Sequence, residues 1–97
     1  MSGHRVPAKA SGLHIERRGD ELLVYNPTND TVHELARVTA AVFEACNGER
    51  SSDDAAIAVS HWINDEIEID LVDRTIIDLT DANLLVDDKR ETALHLD

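Results

Sequence analysis

The spacing of the apolar residues changes once along this 97-residue chain, from a period of two before residue 36 to a period near 3.6 after it. A period of two is typical of strands, because successive side chains of a strand point to opposite faces, and a period of 3.6 is typical of amphipathic helices. A chain of this length has room for one core, so both halves must pack together. The sequence therefore predicts a single α+β domain in which a sheet comes first and helices cover one of its faces.

Three short segments of the first half have the character of strands. In the first of them, Leu13, Ile15 and Arg17 alternate with polar residues, and the other two are residues 22–25 and residues 31–35. The intervening residues 18–21 and 26–30 are rich in Gly, Pro, Asn and Asp, which favour turns. Connections this short predict a three-stranded antiparallel meander.

The second half contains three helical patterns. The first helix is expected to end at Asn47-Gly48, because glycine accepts the left-handed conformation of a helix end. Ser51 or Ser52 is expected to cap the second helix, which runs to about Asn64. Asp70 is expected to cap the third helix, which runs through Ala82. The residues expected to face the core are Val38, Ala41, Val42, Ala45 and Cys46 in the first helix, Ala55, Val59, Trp62 and Ile63 in the second, and Leu71, Val72, Ile76, Leu79 and Ala82 in the third.

The charge distribution argues against nucleic acids and membranes as partners. The formal net charge is −11, of which residues 53–97 contribute −10. Nucleic acids and anionic membranes are bound chiefly through Lys and Arg, which this half nearly lacks. The longest purely apolar run has five residues, against about 20 for a membrane span, and no secretory signal is visible. A cytoplasmic location is therefore expected.

Patterns that would indicate a catalytic, metal or cofactor site are missing from the sequence. The lone Cys46 excludes an internal disulfide and falls on the apolar stripe of the first helix, so it is expected in the core. The five histidines never occur at the close spacing of a metal site. There is no Gly-rich phosphate loop and no paired acid and base. We therefore expect no metal, no cofactor and no catalytic residue.

Residues 35–48 resemble the hallmark segment of the PqqD-like family, also called RiPP recognition elements, where RiPPs are ribosomally made and post-translationally modified peptides. That segment runs roughly Leu-Asn-x-Thr-Ala-x-x-Val-Trp-x-Leu-Cys-Asp-Gly. Leu35, Val42, Cys46 and Gly48 fit it, and Phe43 stands in for the aromatic residue. The departures from the pattern are Ala36, Val38 and Ala45. Residues 23–35 are similar to the second and third strands of the family, and the resemblance extends over residues 13–86.

The resemblance implies a fold and a function. The family has a three-stranded antiparallel sheet packed on three helices in a winged-helix-like arrangement. Its members bind the leader part of a precursor peptide and pass it to a separate modifying enzyme, such as a radical SAM enzyme. On this basis we expect a flexible N-terminal segment over residues 1–12, a peptide-binding domain over residues 13–86 and a polar tail over residues 87–97.

The resemblance also implies where the leader binds. The leader would add as an extra strand along the third strand and rest in the groove beside the third helix. The expected contact residues are Thr31, Val32, His33, Glu34 and Leu35 on the strand, and Arg74, Ile77, Asp78 and Asp81 on the helix.

Two of the helix residues have more than one interpretation. Ile77 is an apolar residue on a charged face, so it is either a scattered surface residue or the floor of a pocket for a leader side chain. Arg74 pairs either with a leader carboxylate or with Asp70 or Asp78 of its own helix.

Other functions are alternatives to peptide binding. A winged-helix transcription regulator or another interaction adaptor could have a similar helical trio, but the third helix carries four Asp and one Arg, which phosphates would repel. An acidic carrier protein would need an Asp-Ser attachment pair, which the sequence lacks. An enzyme would need an acid and base constellation.

Overall fold

The computed structural model describes residues 5–86. In chain order the elements are β1 (Ala8–Lys9), β2 (His14–Arg18), β3 (Glu21–Asn26), β4 (Thr31–Leu35), α1 (Arg37–Ala45), α2 (Ser52–Ile63), α3 (Ile69–Asp81) and β5 (Leu85–Val86). The strands β2, β3 and β4 form an antiparallel sheet in that order, and β1 pairs with β5 in a separate two-stranded sheet. The predicted α+β class, with a three-stranded antiparallel sheet followed by three helices, is confirmed.

The central strand β3 connects the sheet to the core. Leu22 and Val24 are buried on one face of β3, while Leu23 and Tyr25 on the other face are half-buried. A two-residue turn joins β2 to β3, and Gly19 takes a φ of 66° there. Glycine at this position of a tight hairpin allows the positive φ without a steric clash.

Helix α1 covers the face of the sheet that carries Leu22 and Val24, and α2 and α3 pack against α1. Helix α1 packs against β3 and β4, and helix α3 packs against α1, α2 and β5. The hydroxyl of Ser51 accepts a hydrogen bond of 3.1 Å from the N–H of Asp54, so the predicted cap of α2 is confirmed. The largest fully buried side chains are Phe43, Leu22, Leu84, Val24, Val42, Val59, Val72 and Cys46.

The register of α3 differs from the prediction. The helix begins at Ile69 after Glu68, and Asp70 lies in its first turn rather than at the cap. Its buried residues include Thr75, whereas Leu71 is 41 % exposed, so its expected core position is wrong. The buried residues Val72, Thr75 and Leu79 lie within about 60° of one another around the helix, and Leu71 lies about 40° beyond Thr75, outside this stripe. Thr75 can be buried because its hydroxyl donates to the Leu71 carbonyl at 2.8 Å.

Trp62 is also placed differently from the prediction. It is 48 % exposed, and the inward position at the end of α2 belongs to Ile63. The guanidinium carbon of Arg50 lies 5.5 Å from the centroid of the Trp62 ring. This cation–π contact stabilises a large aromatic side chain that stays partly in water.

The folded region begins before the expected boundary at residue 13. Val6 is 2 % exposed, and its N–H donates to the Arg50 carbonyl at 2.8 Å. Gly48, with a φ of 79°, donates to the Pro7 carbonyl, and a Cβ at Gly48 would meet the Cβ of Ala8 at 3.2 Å. A two-residue strand is too short to produce a recognisable period, so the pattern could not predict this packing. The expected polar tail, residues 87–97, lies outside the described residues.

Candidate functional site

Strand β4 lies at an edge of the three-stranded sheet, with β3 as its neighbour. In an antiparallel sheet, successive residues of a strand direct their backbone N–H and C=O groups to opposite sides in alternation. A tight turn is closed by a hydrogen bond between its first and fourth residues, which here are Arg18 and Glu21. Because Glu21 bonds to β2, the backbone N–H and C=O groups of every odd-numbered residue of β3 also bond to β2. Those of the even-numbered residues bond to β4.

This alternation identifies the backbone groups of β4 that face away from β3 and that no other strand of the described residues pairs with. The register pairs Leu35 with Leu22, His33 with Val24 and Thr31 with Asn26, so these three β4 residues bond to β3. Val32 and Glu34 therefore direct their N–H and C=O groups away from the sheet. Groups of this kind bind an added strand without regard to its side chains.

The side chains of β4 divide between the two faces of the sheet. Val32 is 60 % exposed and Glu34 is also exposed, both on the face away from the helices. Thr31 and His33 are half-buried on the helical face, where His33 Nε2 lies 3.1 Å from Thr31 Oγ1. Leu35 is buried in the core opposite Leu22. Its side chain therefore supports the strand from within the core.

The predicted residues of α3 all lie on its exposed side. Ile77 is 58 % exposed, and Arg74, Asp78 and Asp81 are exposed as well. Around the helix, Ile77 lies about 160° from the buried Leu79. Within residues 5–86, Arg74 takes part in no ion pair, so the alternative of a pair with Asp70 or Asp78 is not formed there.

A buried asparagine attaches the end of α3 to the sheet, and the sequence reasoning missed this role. The Nδ2 group of Asn26 donates to the Asn83 carbonyl at 3.2 Å, and its Oδ1 accepts from the N–H of Thr28 at 3.0 Å. Because Asn26 pairs with Thr31, α3 ends near the point where β4 begins. Asp81 lies closest to this attachment, and Arg74 lies about 10 Å further along the helix axis. The local sequence marks Asn26 only as a turn-forming residue. It does not indicate the contact with Asn83, which is 57 positions away in sequence.

Within residues 5–86, the pKa values of two groups depart from their ordinary values. The hydroxyl of Tyr25, opposite Val32, lies 2.9 Å from Asp30, and this hydrogen bond together with the charge of Asp30 raises the pKa of Tyr25. Burial raises the pKa of Cys46 to about 11, although the nearby charges of Lys9 and Arg50 act in the opposite direction. A thiol with this pKa is protonated at neutral pH and is a poor nucleophile, so Cys46 is a core residue as predicted.

The described part of the chain holds neither a candidate metal site nor a candidate membrane span. Residues 5–86 hold no group of three or more His, Cys, Asp or Glu side chains placed to bind a metal ion. No helix in the same region is long and apolar enough to cross a membrane.

Comparison with known proteins gives one informative match. No protein-family model matches the sequence, and no curated protein matches it. Among solved structures, the chain is similar to TbiB1, whose structure was determined in complex with the TbiA(beta) leader peptide. The TM-score is 0.65 at 13 % sequence identity, and the match covers 80 % of this chain and 93 % of TbiB1. The chain therefore shares the fold of TbiB1.

Proposed function

We propose that the protein binds the leader region of a ribosomally made precursor peptide along the free edge of β4 and presents it to a separate modifying enzyme. Two observations carry the proposal: the fold is shared with a protein solved with a leader peptide, and no strand within residues 5–86 pairs with the outward-facing backbone groups of Val32 and Glu34. The resemblance of residues 35–48 to the PqqD-like hallmark segment supports the same function.

The chemistry of the edge suits an extended peptide. Each outward-facing residue offers one donor and one acceptor, so Val32 and Glu34 can form up to four backbone hydrogen bonds with an added strand. The peptide's side chains then alternate between the two faces of the sheet. On one face they would lie near Val32 and Glu34, and on the other near Thr31 and His33.

Helix α3 supplies the second wall of the proposed groove. In this proposal Ile77 contacts an apolar leader side chain, and Arg74, Asp78 and Asp81 provide charged partners around it. The support is their exposure, together with the attachment of α3 to the sheet beside the start of β4. Arg74 is available for a leader carboxylate because no acidic residue within residues 5–86 pairs with it.

The protein would act in this role without catalysis of its own. Its contribution is to hold the leader, while a modifying enzyme such as a radical SAM enzyme carries out the chemistry. The exposed aspartates of α3 disfavour the alternative of a winged-helix regulator, because a recognition helix with this charge would be repelled by phosphates.

Proline substitution tests strand addition directly. A library of random 12-residue peptides is displayed and selected on the full chain, and binding of a recovered peptide is measured by calorimetry and by amide hydrogen exchange. We expect the Val32 and Glu34 amides to become protected. Val32→Pro should weaken binding by about 10- to 100-fold, because the peptide loses one hydrogen bond and keeps an unsatisfied carbonyl. The fold should persist, since proline is tolerated at a sheet edge where the N–H faces outward.

The opposite edge of the sheet provides the matched control. The same alternation places the N–H of Ile15 outward on β2, so Ile15→Pro removes an equivalent group from the other edge. Peptide affinity should be unchanged in this variant. Equal losses in both variants, or no protection at Val32 and Glu34 with any recovered peptide, would contradict strand addition to β4.

A charge substitution tests the contribution of α3. Ile77→Asp should weaken binding of the same peptide while the protein stays folded. Ile57→Asp is its control, because Ile57 is 68 % exposed on a different helix. If Ile77→Asp leaves the affinity unchanged, Ile77 is not part of the site.

A further inference from the structure

The face of the sheet that points away from the helices carries two rows of side chains, which run across the three strands. The register aligns three residues in each row, Glu16, Leu23 and Glu34 in the first and His14, Tyr25 and Val32 in the second. Neighbours in such a row have their Cβ atoms about 4.5–5.5 Å apart. Both rows end at β4, so a strand added to this edge would place one side chain at the end of each row.

The first row ends on the carboxylate of Glu34, which has no cationic partner within residues 5–86. Its neighbour on β3, Leu23, is apolar. At the other end of the row, by contrast, Glu16 lies 3.4 Å from the Nε of Arg18. Opposite charges that face each other across two strands stabilise the pairing, and like charges weaken it. The position beside Glu34 on an added strand therefore favours Lys or Arg and disfavours Asp or Glu.

The second row ends on an exposed apolar side chain, that of Val32. Its neighbour Tyr25 is held in place on two sides. The Tyr25 ring meets His14 edge to face, with 5.8 Å between the ring centroids, and its hydroxyl donates to Asp30. An aromatic or β-branched residue beside Val32 would extend this row and remove apolar surface from water, and pairs of this kind stabilise sheets.

The charge of the whole molecule acts in the same direction as Glu34. The formal net charge is −11, and α3, the second wall of the proposed groove, carries four exposed aspartates and one arginine. A field of this sign attracts a cationic peptide and repels an anionic one. The field brings the peptide to the protein, and Glu34 fixes where its basic residue lies.

We infer that the leader segment bound at β4 carries a basic residue beside Glu34 and an aromatic or β-branched residue beside Val32. The inference rests on the proposed strand addition. Because both positions lie on one face of the sheet, a single residue separates them in the leader. An antiparallel leader therefore reads basic-x-apolar, and a parallel leader reads apolar-x-basic. Glu34 and Val32 determine specificity through these side chains, whereas their backbone groups accept any extended peptide.

Parallel selections on the full chain test the role of Glu34. A library of random 12-residue peptides is selected on the unchanged chain, on Glu34→Lys and on Glu16→Lys. Glu16→Lys is the matched control, because it changes the net charge equally and lies in the same row at the opposite edge. Amide hydrogen exchange then identifies the recovered peptides that protect residues 32 and 34.

The composition of these peptides is the first result. From the unchanged chain and from Glu16→Lys, we expect peptides with Lys or Arg two positions away from an aromatic or β-branched residue. From Glu34→Lys, we expect Asp or Glu in place of the basic residue, because the charge that selects it is reversed.

Substitutions in one recovered peptide measure the two contacts. Replacing its basic residue by Glu should weaken binding to the unchanged chain by about threefold or more and strengthen binding to Glu34→Lys. Replacing its apolar residue by Asn should weaken binding to the unchanged chain by about threefold or more, and the loss should be smaller on Val32→Thr, which keeps the shape of Val32 but not its apolar surface.

The outcomes separate this inference from strand addition itself. If recovered peptides protect residues 32 and 34 without a preference for a basic residue, the inference is wrong and strand addition stands. The same conclusion holds if Glu34→Lys and Glu16→Lys change the preference equally, because the net charge then selects the peptide. If no recovered peptide protects these two amides, strand addition is wrong, and the inference is wrong with it.

Discussion

Lys9 is predicted to hold the C-terminal end of α1 in place, although it belongs to a strand far away in sequence. Its Nζ donates to the carbonyls of Glu44 at 3.2 Å and Cys46 at 3.1 Å, and it lies 5.3 Å from the centroid of the Phe43 ring. Helix α1 has no basic residue in its own last turn. Lys9 therefore supplies a positive charge where the helix dipole favours one.

The expected effect can be estimated from these contacts. Hydrogen bonds from a charged donor contribute about 1.5–3 kcal/mol each, and a cation at a helix end contributes about 0.3–1 kcal/mol. Ordering a lysine side chain opposes this by up to about 2 kcal/mol. Lys9→Met keeps most of the apolar stem and removes the charge. We expect it to lower the free energy of unfolding by about 2 kcal/mol, near the low end of the sum of these terms because Lys9 is only half-buried. This is a sizeable part of the roughly 5–15 kcal/mol typical of a domain.

Urea unfolding followed by circular dichroism measures this change. With a slope of about 1–2 kcal/mol/M, the midpoint should fall by about 1–2 M. Arg74→Met is the matched control, because it removes one cation from an exposed position that forms no ion pair within the described residues. If the free energies of unfolding of the two variants differ by less than about 0.5 kcal/mol, Lys9 is not the partner of the helix end.

Two further predictions concern the N-terminal segment and the buried thiol. In the same urea assay, Val6→Ala should lower the free energy of unfolding by about 1–2 kcal/mol, because Val6 is 2 % exposed. Val32→Ala should lower it by less than about 0.5 kcal/mol, because Val32 is 60 % exposed. Equal effects of the two substitutions would contradict the packing of the N-terminal segment. Burial raises the pKa of Cys46 from an ordinary value of 9.0 to about 11, so folding favours the protonated thiol, and stability is lost as the pH rises through this range. Between pH 8.5 and 10.5, the urea midpoint should therefore fall less for Cys46→Ala than for the unchanged chain. If both midpoints fall equally, the thiol has the same pKa in the folded and the unfolded chain.

The strands β2, β3 and β4 and the three helices could be predicted from the sequence because the patterns that indicate them are local. The cap at Ser51 is a contact with a residue three positions away, and the turn at Gly19 depends on two residues. The alternating pattern of β3 and the apolar stripe of α1 also repeat over short distances. Each signal is decided by the backbone geometry of one element, which the neighbouring residues largely determine.

The two residues whose burial was predicted wrongly are Leu71 and Trp62. In each case the local sequence allowed either of two nearby residues to be the buried one. Leu71 and Thr75 are four positions apart and lie about 40° from each other on the same side of α3, and their hydrophobicity favours Leu71 as the buried residue. The structure buries Thr75, because α1, α2 and β5 together set the direction of the stripe. Trp62 and Ile63 are adjacent and both apolar, and packing at the end of α2 accepts only Ile63.

The sequence by itself determined the three strands of the larger sheet, the turns between them, the presence of three helices and the position of β4 at the end of the meander, since these follow from alternation, turn chemistry and short connections. Only the tertiary structure decided which distant groups meet. Lys9 bonds to carbonyls 35 and 37 positions away, and Asn26 bonds to a carbonyl 57 positions away. A cleft lined by Arg17, Ala41 and Trp62, among others, likewise combines residues of a hairpin and two helices. Such contacts depend on how complete elements pack in space, and no local pattern of residue types encodes that packing.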